Sequence, residues 1–320
     1  MKNSFIILLV ILSFISCEKG EIAIEPHEPG DAIVNSVEMY SDYRNQIYFD
    51  LETNEVVGFN EKIEWDLAFE CGANGNHIFI NTAKSMFIAK SNAAFSKIDT
   101  LGLNWNWEAS SGNLDSTAFE DWTTSDLFFI DLGYNSAGAH QGFGKLQIIE
   151  LTANSWIFNY CNLNETAPNQ ITLQKDNLYN ASFFSFLNGG TQVQIEPPKE
   201  DWDICFTQYT HIFYGLSDTP YLVSGAILNK YNVEGSENFT TDFIDVNFES
   251  TITHPTNTIK DIIGYDWKFF DFDTGKYAID PSQNFIIKST EGIYFKLHFT
   301  DFYNETGEKG YPKFEFQELY

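Results

Sequence analysis

The sequence predicts an all-β, antiparallel protein, and three observations support this fold class. Phe, Tyr and Trp make up 17% of the 320 residues, and aromatic side chains suit the half-buried faces of a pleated sheet. Near the C-terminus, Phe295, Leu297 and Phe299 alternate with polar residues, a period of two that is typical of a strand with one wet face. Long stretches rich in Ala, Glu, Lys and Leu, which build helix bundles, do not occur in the sequence. The one modest helical candidate is 114–122.

The N-terminal residues predict a lipoprotein signal peptide over residues 1–16. A short basic start leads into the apolar run Phe5 to Phe14, which is too short for a permanent membrane span but has the length of a signal-peptide core. Ser16 then precedes Cys17, which is the pattern of a bacterial lipobox, so we expect Cys17 to carry the lipid. Residues 17–32 contain Pro and Gly without apolar periodicity and predict a flexible tether. An ordinary signal peptide with an incidental Cys is the alternative.

The folded part is predicted from residue 33 onwards, as short strands between polar or Gly-containing turns. The Gly-rich segment 133–144 lacks the Lys and the following helix of a phosphate-binding loop. The predicted strands are 46–51, 127–132, 146–151, 183–187, 285–288 and 294–302.

Cys71, Cys161 and Cys205 remain after the predicted cleavage. An odd number of cysteines leaves at least one free thiol, so a disulfide framework is not expected to hold this domain together. Cys161 and Cys205 lie in apolar, aromatic segments, where Cys behaves as a small hydrophobic residue. The chain has no Cys-x-x-Cys motif and no His-rich spacing typical of a metal site.

The formal net charge of −27 excludes two classes of partner. A nucleic-acid-binding protein needs a basic surface, which this chain lacks. An acidic surface also does not adhere to anionic lipid headgroups, so membrane attachment must come from the predicted lipid anchor.

A short segment is repeated within the chain. Residues 64–70 read EWDLAFE, and residues 201–207 read DWDICFT. Each copy follows a segment with a strand and a polar turn, which favours a duplicated half-domain over the coincidence of two aromatic strands. We therefore predict an N-terminal β half, residues 33–190, and a C-terminal β half, residues 191–320.

These Trp-Asp segments, together with 221–226, 263–268, 294–302 and 307–316, resemble the HmuY-like lipoproteins of Bacteroidetes. The resemblance is strongest over residues 190–320. It implies an all-β lipoprotein anchored in the outer membrane and facing the cell surface. It also implies capture of haem or another porphyrin and its delivery to a TonB-dependent receptor. Two histidines hold the iron in the haem-binding members, and some relatives use methionines.

His211, His254 and His140 are the candidate haem ligands. His211 lies in an aromatic segment, His254 lies near the place that the resemblance gives to the first ligand, and His140 lies in a Gly-rich loop that could close over a ligand. The second ligand is expected before a strand near Tyr277, where this chain has Phe and Asp at 269–273 without His or Met. For each of the three histidines, a structural or surface role is the alternative.

A second hypothesis is a surface lipoprotein that binds a glycan or an outer-membrane partner protein without haem. Trp105, Trp107 and Trp122 lie near predicted loops, where an exposed indole can stack on a sugar ring. The chain is not predicted to be an enzyme, because Gly-x-Ser-x-Gly, His-Glu-x-x-His and phosphate-loop motifs are absent from the sequence. Asp and Glu are so abundant that pairs of carboxylates indicate nothing.

Overall fold

The computed structural model describes residues 30–215 and 217–320. The predicted signal peptide, Cys17 and the tether as far as residue 29 lie outside the described residues. Within these described residues, twenty strands and one short helix, α1 (Ser250–Thr253), follow one another, with 3-10 turns at Thr82–Lys84, Leu114–Ser116, Leu187–Gly189 and Phe243–Asp245. The strands are β1 (Ile33–Ser36), β2 (Asn45–Asp50), β3 (Glu55–Glu61), β4 (Leu67–Glu70), β5 (Ile78–Ile80), β6 (Phe87–Ser91), β7 (Leu127–Asp131), β8 (Phe143–Leu151), β9 (Ser155–Asn162), β10 (Asn169–Gln174), β11 (Ala181–Ser185), β12 (Thr191–Val193), β13 (Ile204–Phe213), β14 (Thr219–Leu228), β15 (Glu234–Asn238), β16 (Lys268–Asp271), β17 (Lys276–Ile279), β18 (Asn284–Lys288), β19 (Tyr294–Tyr303) and β20 (Lys309–Glu318).

The strands form four main antiparallel sheets and one separate hairpin, so the predicted all-β fold is confirmed. The N-terminal outer sheet has the order β10-β9-β8-β7-β6, and the first inner sheet has the order β12-β11-β4-β5. The second inner sheet is β14-β13-β2-β3, the C-terminal outer sheet is β1-β20-β19-β18-β15, and β16 pairs with β17. No helix in the described residues has the length and apolar character that a membrane crossing requires.

The sheets stack as four layers with three hydrophobic clusters between them. Strand alternation explains why the inner sheets are buried on both faces. In β2, Phe49 packs towards the C-terminal outer sheet and Tyr48 packs towards the first inner sheet. In β4, Phe69 packs towards the N-terminal outer sheet and Ala68 packs towards the second inner sheet. The central strands β2, β4 and β11 therefore carry apolar residues on both faces.

The two predicted halves exchange strands. The second inner sheet takes β2 and β3 from residues 33–190, and it takes β13 and β14 from residues 191–320. Likewise, β1 pairs with β20 at the edge of the C-terminal outer sheet. The inner sheets share one hydrophobic cluster, so the halves do not form separate lobes.

The repeated Trp-Asp segments occupy equivalent places in the fold. The backbone N–H of Asp66 donates to the carbonyl of Phe184 in β11, and the N–H of Asp203 donates to the carbonyl of Phe49 in β2, each at 2.9 Å. Trp65 lies edge-on to Phe183 with ring centroids 5.0 Å apart. Trp202 lies edge-on to Tyr48 at 4.9 Å.

Two asparagines complete this internal symmetry. The side-chain amide of Asn81 donates to the carbonyls of Lys62 and Trp65. The amide of Asn229 donates in the same way to the carbonyls of Lys199 and Trp202. Each carbonyl lies at the same offset from its Trp. The duplication that the short sequence repeat predicts is therefore present in the hydrogen-bond pattern.

Two local expectations differ from the structure. Residues 114–122 contain a 3-10 turn at Leu114–Ser116 and otherwise form turns, so the helical candidate is wrong. The polar face of β19 is partly covered, because the Lys296 ammonium donates to the carbonyls of Phe243 and Val246. His298 lies on the same face and stacks on Phe243, with ring centroids 4.0 Å apart. The turn before α1 therefore covers a surface that the alternation predicted to be wet.

Cys71, Cys161 and Cys205 are free and buried, as the apolar segments around Cys161 and Cys205 predict. Cys205 belongs to the cluster between the inner sheets. Burial raises the pKa of its thiol to about 12, so it acts as a small apolar side chain.

Candidate functional site

His211 lies on β13 in an aromatic surrounding that holds its ring in one orientation. Its Nδ1 is 3.3 Å from the hydroxyl of Ser110 and 3.5 Å from a carboxylate oxygen of Asp261. The ring centroid is 5.1 Å from those of Phe213 and Tyr265. A hydroxyl and a carboxylate beside one ring nitrogen leave the other nitrogen, Nε2, as the atom that can bind a metal. The side chain of His211 is 28% exposed, so the ring is reachable from solvent.

The aromatic surface continues from His211 across the neighbouring hairpin. Phe213 lies 6.1 Å from Tyr221, which stands opposite His211 in the β13–β14 register. Tyr221 is close enough to Tyr277 in β17 to raise the pKa of Tyr277, after burial as the larger cause. The ring centroid of Phe270 lies 5.3 Å from that of Tyr277 and 5.2 Å from that of Phe272. We call this surface the aromatic strip, and its members are His211, Phe213, Tyr221, Tyr277, Phe270 and Phe272.

Three rings of the aromatic strip, those of Tyr221, Phe270 and Phe272, are exposed. Tyr221 is 61% exposed, and Phe272 at the tip of the β16–β17 hairpin is 88% exposed. Contiguous apolar surface of this kind is typical of a binding surface. The hairpin carries the Phe-rich segment 269–273, which stands where the resemblance places a second iron ligand.

His140 differs from His211 because both of its nitrogens are occupied. Its Nε2 is 2.8 Å from the carboxylate of Asp131, and its Nδ1 accepts a hydrogen bond from the N–H of Gly142 at 3.2 Å. The ring lies against Tyr134 and Phe143, with centroids about 5 Å apart. Iron binding at His140 would have to break one of these hydrogen bonds.

His254 follows α1 and belongs to a third place in the fold. Its backbone N–H donates to Ser250, its carbonyl accepts from the hydroxyl of Ser236, and its Nδ1 is 3.0 Å from the hydroxyl of Thr253. The contacts of His254, His211 and His140 involve different residues, so the structure gives these rings no common partner. The ligand roles of all three remain predictions.

The two other described histidines and two methionines also have defined surroundings. His77 pairs with Glu70 at 2.6 Å, and His298 pairs with Glu315 at 3.0 Å, so each imidazole has a carboxylate partner. Met39 and Met86 are buried in hydrophobic clusters, where their thioethers fill space. His27 lies outside the described residues.

A cavity of about 120 Å³ lies between the two inner sheets. It is close to the size of a cavity that holds benzene and far smaller than a porphyrin needs. None of the described histidines lines it. The residues that line this central cavity are Gln46, Tyr48, Trp65, Ala68, Phe79, Ile80, Asn81, Thr82, Ala83, Glu108, Gly112, Asn180, Ala181, Phe183, Glu196, Trp202, Cys205, Thr207, Gln208, Ile227, Leu228, Lys230, Tyr231 and Lys260.

Four charged side chains line the central cavity, and burial shifts the pKa of three of them. Burial raises the pKa of Glu108 and of Glu196 to about 7. Burial, followed by the neighbouring charge of Lys260, lowers the pKa of Lys230. Perturbed groups of both signs around one cavity are typical of a ligand site. The sequence alone does not predict them, because these residues lie on separate loops and form no local motif.

Backbone groups fix the two carboxylates in the cavity wall. One oxygen of Glu108 accepts from the N–H of Ile80 at 3.0 Å. One oxygen of Glu196 accepts from the N–H groups of Asn180 and Ala181 at 2.6 and 2.9 Å. A carboxylate held through one oxygen keeps acceptor capacity on the other.

A separate cluster of carboxylates lies beside the second Trp-Asp segment. Oxygens of Asp50, Glu52 and Asp203 all lie within 4.8 Å of one another. Burial raises the pKa of Glu52 to about 8, and the charge of Asp203 adds to that shift. A protonated Glu52 allows these groups to approach without a cation, so the cluster needs no metal to explain it.

The chain belongs to the HmuY family. Its sequence matches the family described as "HmuY protein" over residues 42–316, which is more than half of the chain. No curated protein sequence matches it at a significant level.

Three solved structures share a distant likeness with the fold. Apo PinO from Porphyromonas gingivitis is 11% identical, and the match covers 91% of this chain and 98% of that chain with a TM-score of 0.37. The apo HmuY analog TFO from Tannerella forsythia is 10% identical, with 92% and 100% coverage and a TM-score of 0.25. A protein from Bacteroides vulgatus described as HmuY-like and heme-binding is 16% identical, with 42% and 82% coverage and a TM-score of 0.23.

Proposed function

We propose that this protein captures haem or a related porphyrin on the aromatic strip, with His211 as the residue that binds the iron. Membership of the HmuY family, a family of binding proteins, supports the ligand class. One structural observation supports this location for the binding site. The Nδ1 of the His211 ring lies beside Ser110 and Asp261, and aromatic side chains surround the ring.

The strip suits a porphyrin because its exposed rings present apolar faces near an oriented imidazole. Burying the flat macrocycle against Tyr221 and Phe270 would remove apolar surface from water on both partners. The Asp261 carboxylate beside Nδ1 would raise the basicity of the imidazole that binds iron through Nε2. Tyr is also known as an axial haem ligand, and Tyr221 and Tyr265 lie in the same surface.

Titration of the purified protein with haemin tests this proposal. We expect a Soret band to develop at micromolar haemin, and His211→Gln should weaken binding by about tenfold or more. His140→Gln is the matched control, because it removes another exposed imidazole whose nitrogens are already occupied. A flat titration of the unmodified protein would exclude haem. Equal binding by the His211→Gln variant would exclude the proposed ligand.

The same proposal includes the lipid anchor and the receptor. A diacylglycerol on Cys17 would hold the protein at the outer membrane with the binding domain facing outwards, from where haem would pass to a TonB-dependent receptor. Replacement of Cys17 by Ala should release the protein from the membrane fraction. Protease treatment of intact cells should degrade the anchored protein if it faces the cell surface, and protection would indicate a periplasmic orientation.

Glycan binding remains a second candidate because of one further pocket. An open pocket of about 350 Å³ is lined by Trp122, His77 and several carboxylates, among them Asp115 and Glu120. An aromatic ring beside polar acceptors is the arrangement that binds sugars. Trp105 and Trp107 are half-buried against Phe143 and Phe87 instead. Loss of glycan binding in Trp122→Ala would support this candidate function. No detectable binding of the unmodified protein to a glycan array would contradict it.

A further inference from the structure

The central cavity exists because small side chains stand at equivalent places in the two repeats. Ala68 follows Trp65 by three residues and Cys205 follows Trp202 by three residues, and both line the cavity. Each faces an aromatic ring on the neighbouring strand of its sheet, Phe183 opposite Ala68 and Tyr48 opposite Cys205. Larger side chains at these two positions would fill the space between the inner sheets.

The charged groups around the cavity are not paired with one another. Among the described residues, neither Lys230 nor Lys260 has a carboxylate oxygen within 4.0 Å. The two lysines meet at Gly112, where an added Cβ would lie 3.2 Å from Lys230 Nζ and 2.9 Å from Lys260 Cβ. The lysines therefore lie next to each other, and their charges also act on Glu108 and Glu196, which backbone groups fix in the wall.

One buried donor in the wall also lacks a partner. The indole N–H of Trp65 donates to the side-chain carbonyl of Gln46 at 2.7 Å. The indole N–H of Trp202 is buried without a hydrogen bond, because Ala181 stands where the repeat would place the counterpart of Gln46. An unpaired buried donor costs about 1–3 kcal/mol, and its presence beside a polar cavity is typical of a site that receives an acceptor from a ligand.

We propose that the central cavity binds a small zwitterion of amino-acid size, with its carboxylate near Lys230 and Lys260 and its ammonium near Glu108 and Glu196. The site would hold the apolar body of the ligand against Trp65, Phe183 and Trp202. Tyr231, which is 40% exposed and lines the cavity, marks the side from which a ligand enters.

The charges favour a zwitterion over the other small ligands that the volume admits. A neutral sugar would bring no charge to groups that are desolvated and that compensate one another only through space, without an ion pair. A simple anion would pair the lysines and leave the two carboxylates uncompensated. A ligand with one charge of each sign compensates both sides of the cavity, and its acceptor atoms can also serve the Trp202 N–H.

Calorimetric titration with L-leucine and two analogues tests this inference. The analogues are 4-methylpentanoate, which keeps the carboxylate, and 3-methylbutylamine, which keeps the ammonium. We expect L-leucine or the larger L-phenylalanine to bind saturably at millimolar concentration or below, and each analogue to bind about tenfold more weakly or worse than L-leucine. Failure of both amino acids to bind, or equal binding of a singly charged analogue, would overturn the proposal, as would preferential binding of glucose.

Variants of residues in the cavity wall provide a second test of the proposal. Lys230→Met and Glu196→Gln should each weaken amino-acid binding by about tenfold, whereas Lys276→Met on the exposed β17 strand should leave it unchanged. Ala68→Leu should fill the cavity and abolish binding; if that variant does not fold, Lys260→Met at the cavity rim replaces it. Unchanged binding in the wall variants would place the ligand elsewhere. Because His211 does not line the cavity, His211→Gln separates this site from the proposed haem surface.

Discussion

Asp66 and Asp203 occupy equivalent positions in the two repeats but have opposite electrostatic surroundings. Asp66 forms a buried salt bridge with Lys84 and accepts from the N–H of Phe186. Asp203 accepts from the N–H groups of Leu51 and Thr290, and it has Glu52 beside it instead of a lysine. In both repeats the carboxylate therefore accepts hydrogen bonds from backbone N–H groups, but a lysine compensates its charge in the first repeat and not in the second.

The Lys84–Asp66 pair should be important for stability. Lys84→Met leaves the Asp66 carboxylate buried without its counter-charge, so we expect the free energy of unfolding to fall by about 3–5 kcal/mol. Asn232 stands three residues after Asn229, as Lys84 stands three after Asn81, and its amide donates to Lys199. The control Asn232→Met should therefore cost only about 1 kcal/mol. Urea denaturation of both variants measures the difference, and equal losses would contradict it.

The two asparagines that close the repeats should contribute equally. Asn81→Ala and Asn229→Ala each remove one amide that donates to two backbone carbonyls. Losing these hydrogen bonds should lower the free energy of unfolding by about 2–4 kcal/mol in each case, even though Lys199 keeps a second donor in Asn232. The control is Asn169→Ala at the exposed start of β10, which should be near neutral. A large loss of stability in only one of the two variants would show that equivalent contacts do not contribute equally to the free energy of unfolding.

Glu52 should make the protein less stable as the pH rises. Burial and the Asp203 charge raise the pKa of Glu52 from 4.5 to about 8 in the folded state, so the folded state holds a proton that the unfolded state has lost between these values. The free energy of unfolding must then decrease as the pH rises through that window. Glu108 and Glu196, with pKa values raised to about 7, act in the same direction.

Replacing Glu52 with Gln should remove the contribution of Glu52 to the decrease in the free energy of unfolding with rising pH. Denaturation of Glu52→Gln between pH 5 and about 8 should give a smaller loss of stability than in the unmodified protein. Glu55→Gln, at an exposed position of β3, is the matched control and should leave the slope unchanged. Parallel slopes for Glu52→Gln and the unmodified protein would mean that Glu52 does not hold a proton in the folded state.

The strands could be predicted from sequence because their information is local. The predicted segments 127–132 and 294–302 correspond to β7 and β19, and the repeated Trp-Asp segments correspond to equivalent hydrogen-bond patterns. The exchange of β2 into the second inner sheet could not be predicted, since pairing of β2 with β13 depends on contacts between residues more than 150 positions apart. Local periodicity carries no information about such partners.

The candidate sites were less predictable than the fold for the same reason. The aromatic residues next to His211 could be recognised in its own segment of the sequence. Ser110 and Asp261, which orient the ring, come from distant loops. Lys296 reads as a solvent-facing residue in an alternating strand, and its burial depends on carbonyls supplied by a turn about 50 residues earlier. The charged groups of the central cavity likewise meet only in the folded chain.

Lys268 should produce a rise in stability with pH that is opposite in sign to the effect of the buried carboxylates. Its ammonium donates to the carbonyls of Ser224 and Tyr265 and lies over the ring of Trp267, 4.2 Å from the centroid. Burial nevertheless lowers its pKa from 10.5 to about 7, with the charge of Asp266 opposing the shift. Between these values the unfolded state holds a proton that the folded state has lost, so the Lys268 contribution to the free energy of unfolding increases as the pH rises.

Lys268→Met should remove this increase, because methionine has no proton to lose. Chemical denaturation between pH 7 and about 9 should show a difference in slope between Lys268→Met and the unmodified protein. Lys276→Met replaces an exposed lysine of the same hairpin and should keep the original slope. If the two variants show the same pH dependence, Lys268 stays protonated in the folded state, and its carbonyl and aromatic contacts compensate fully for the loss of water.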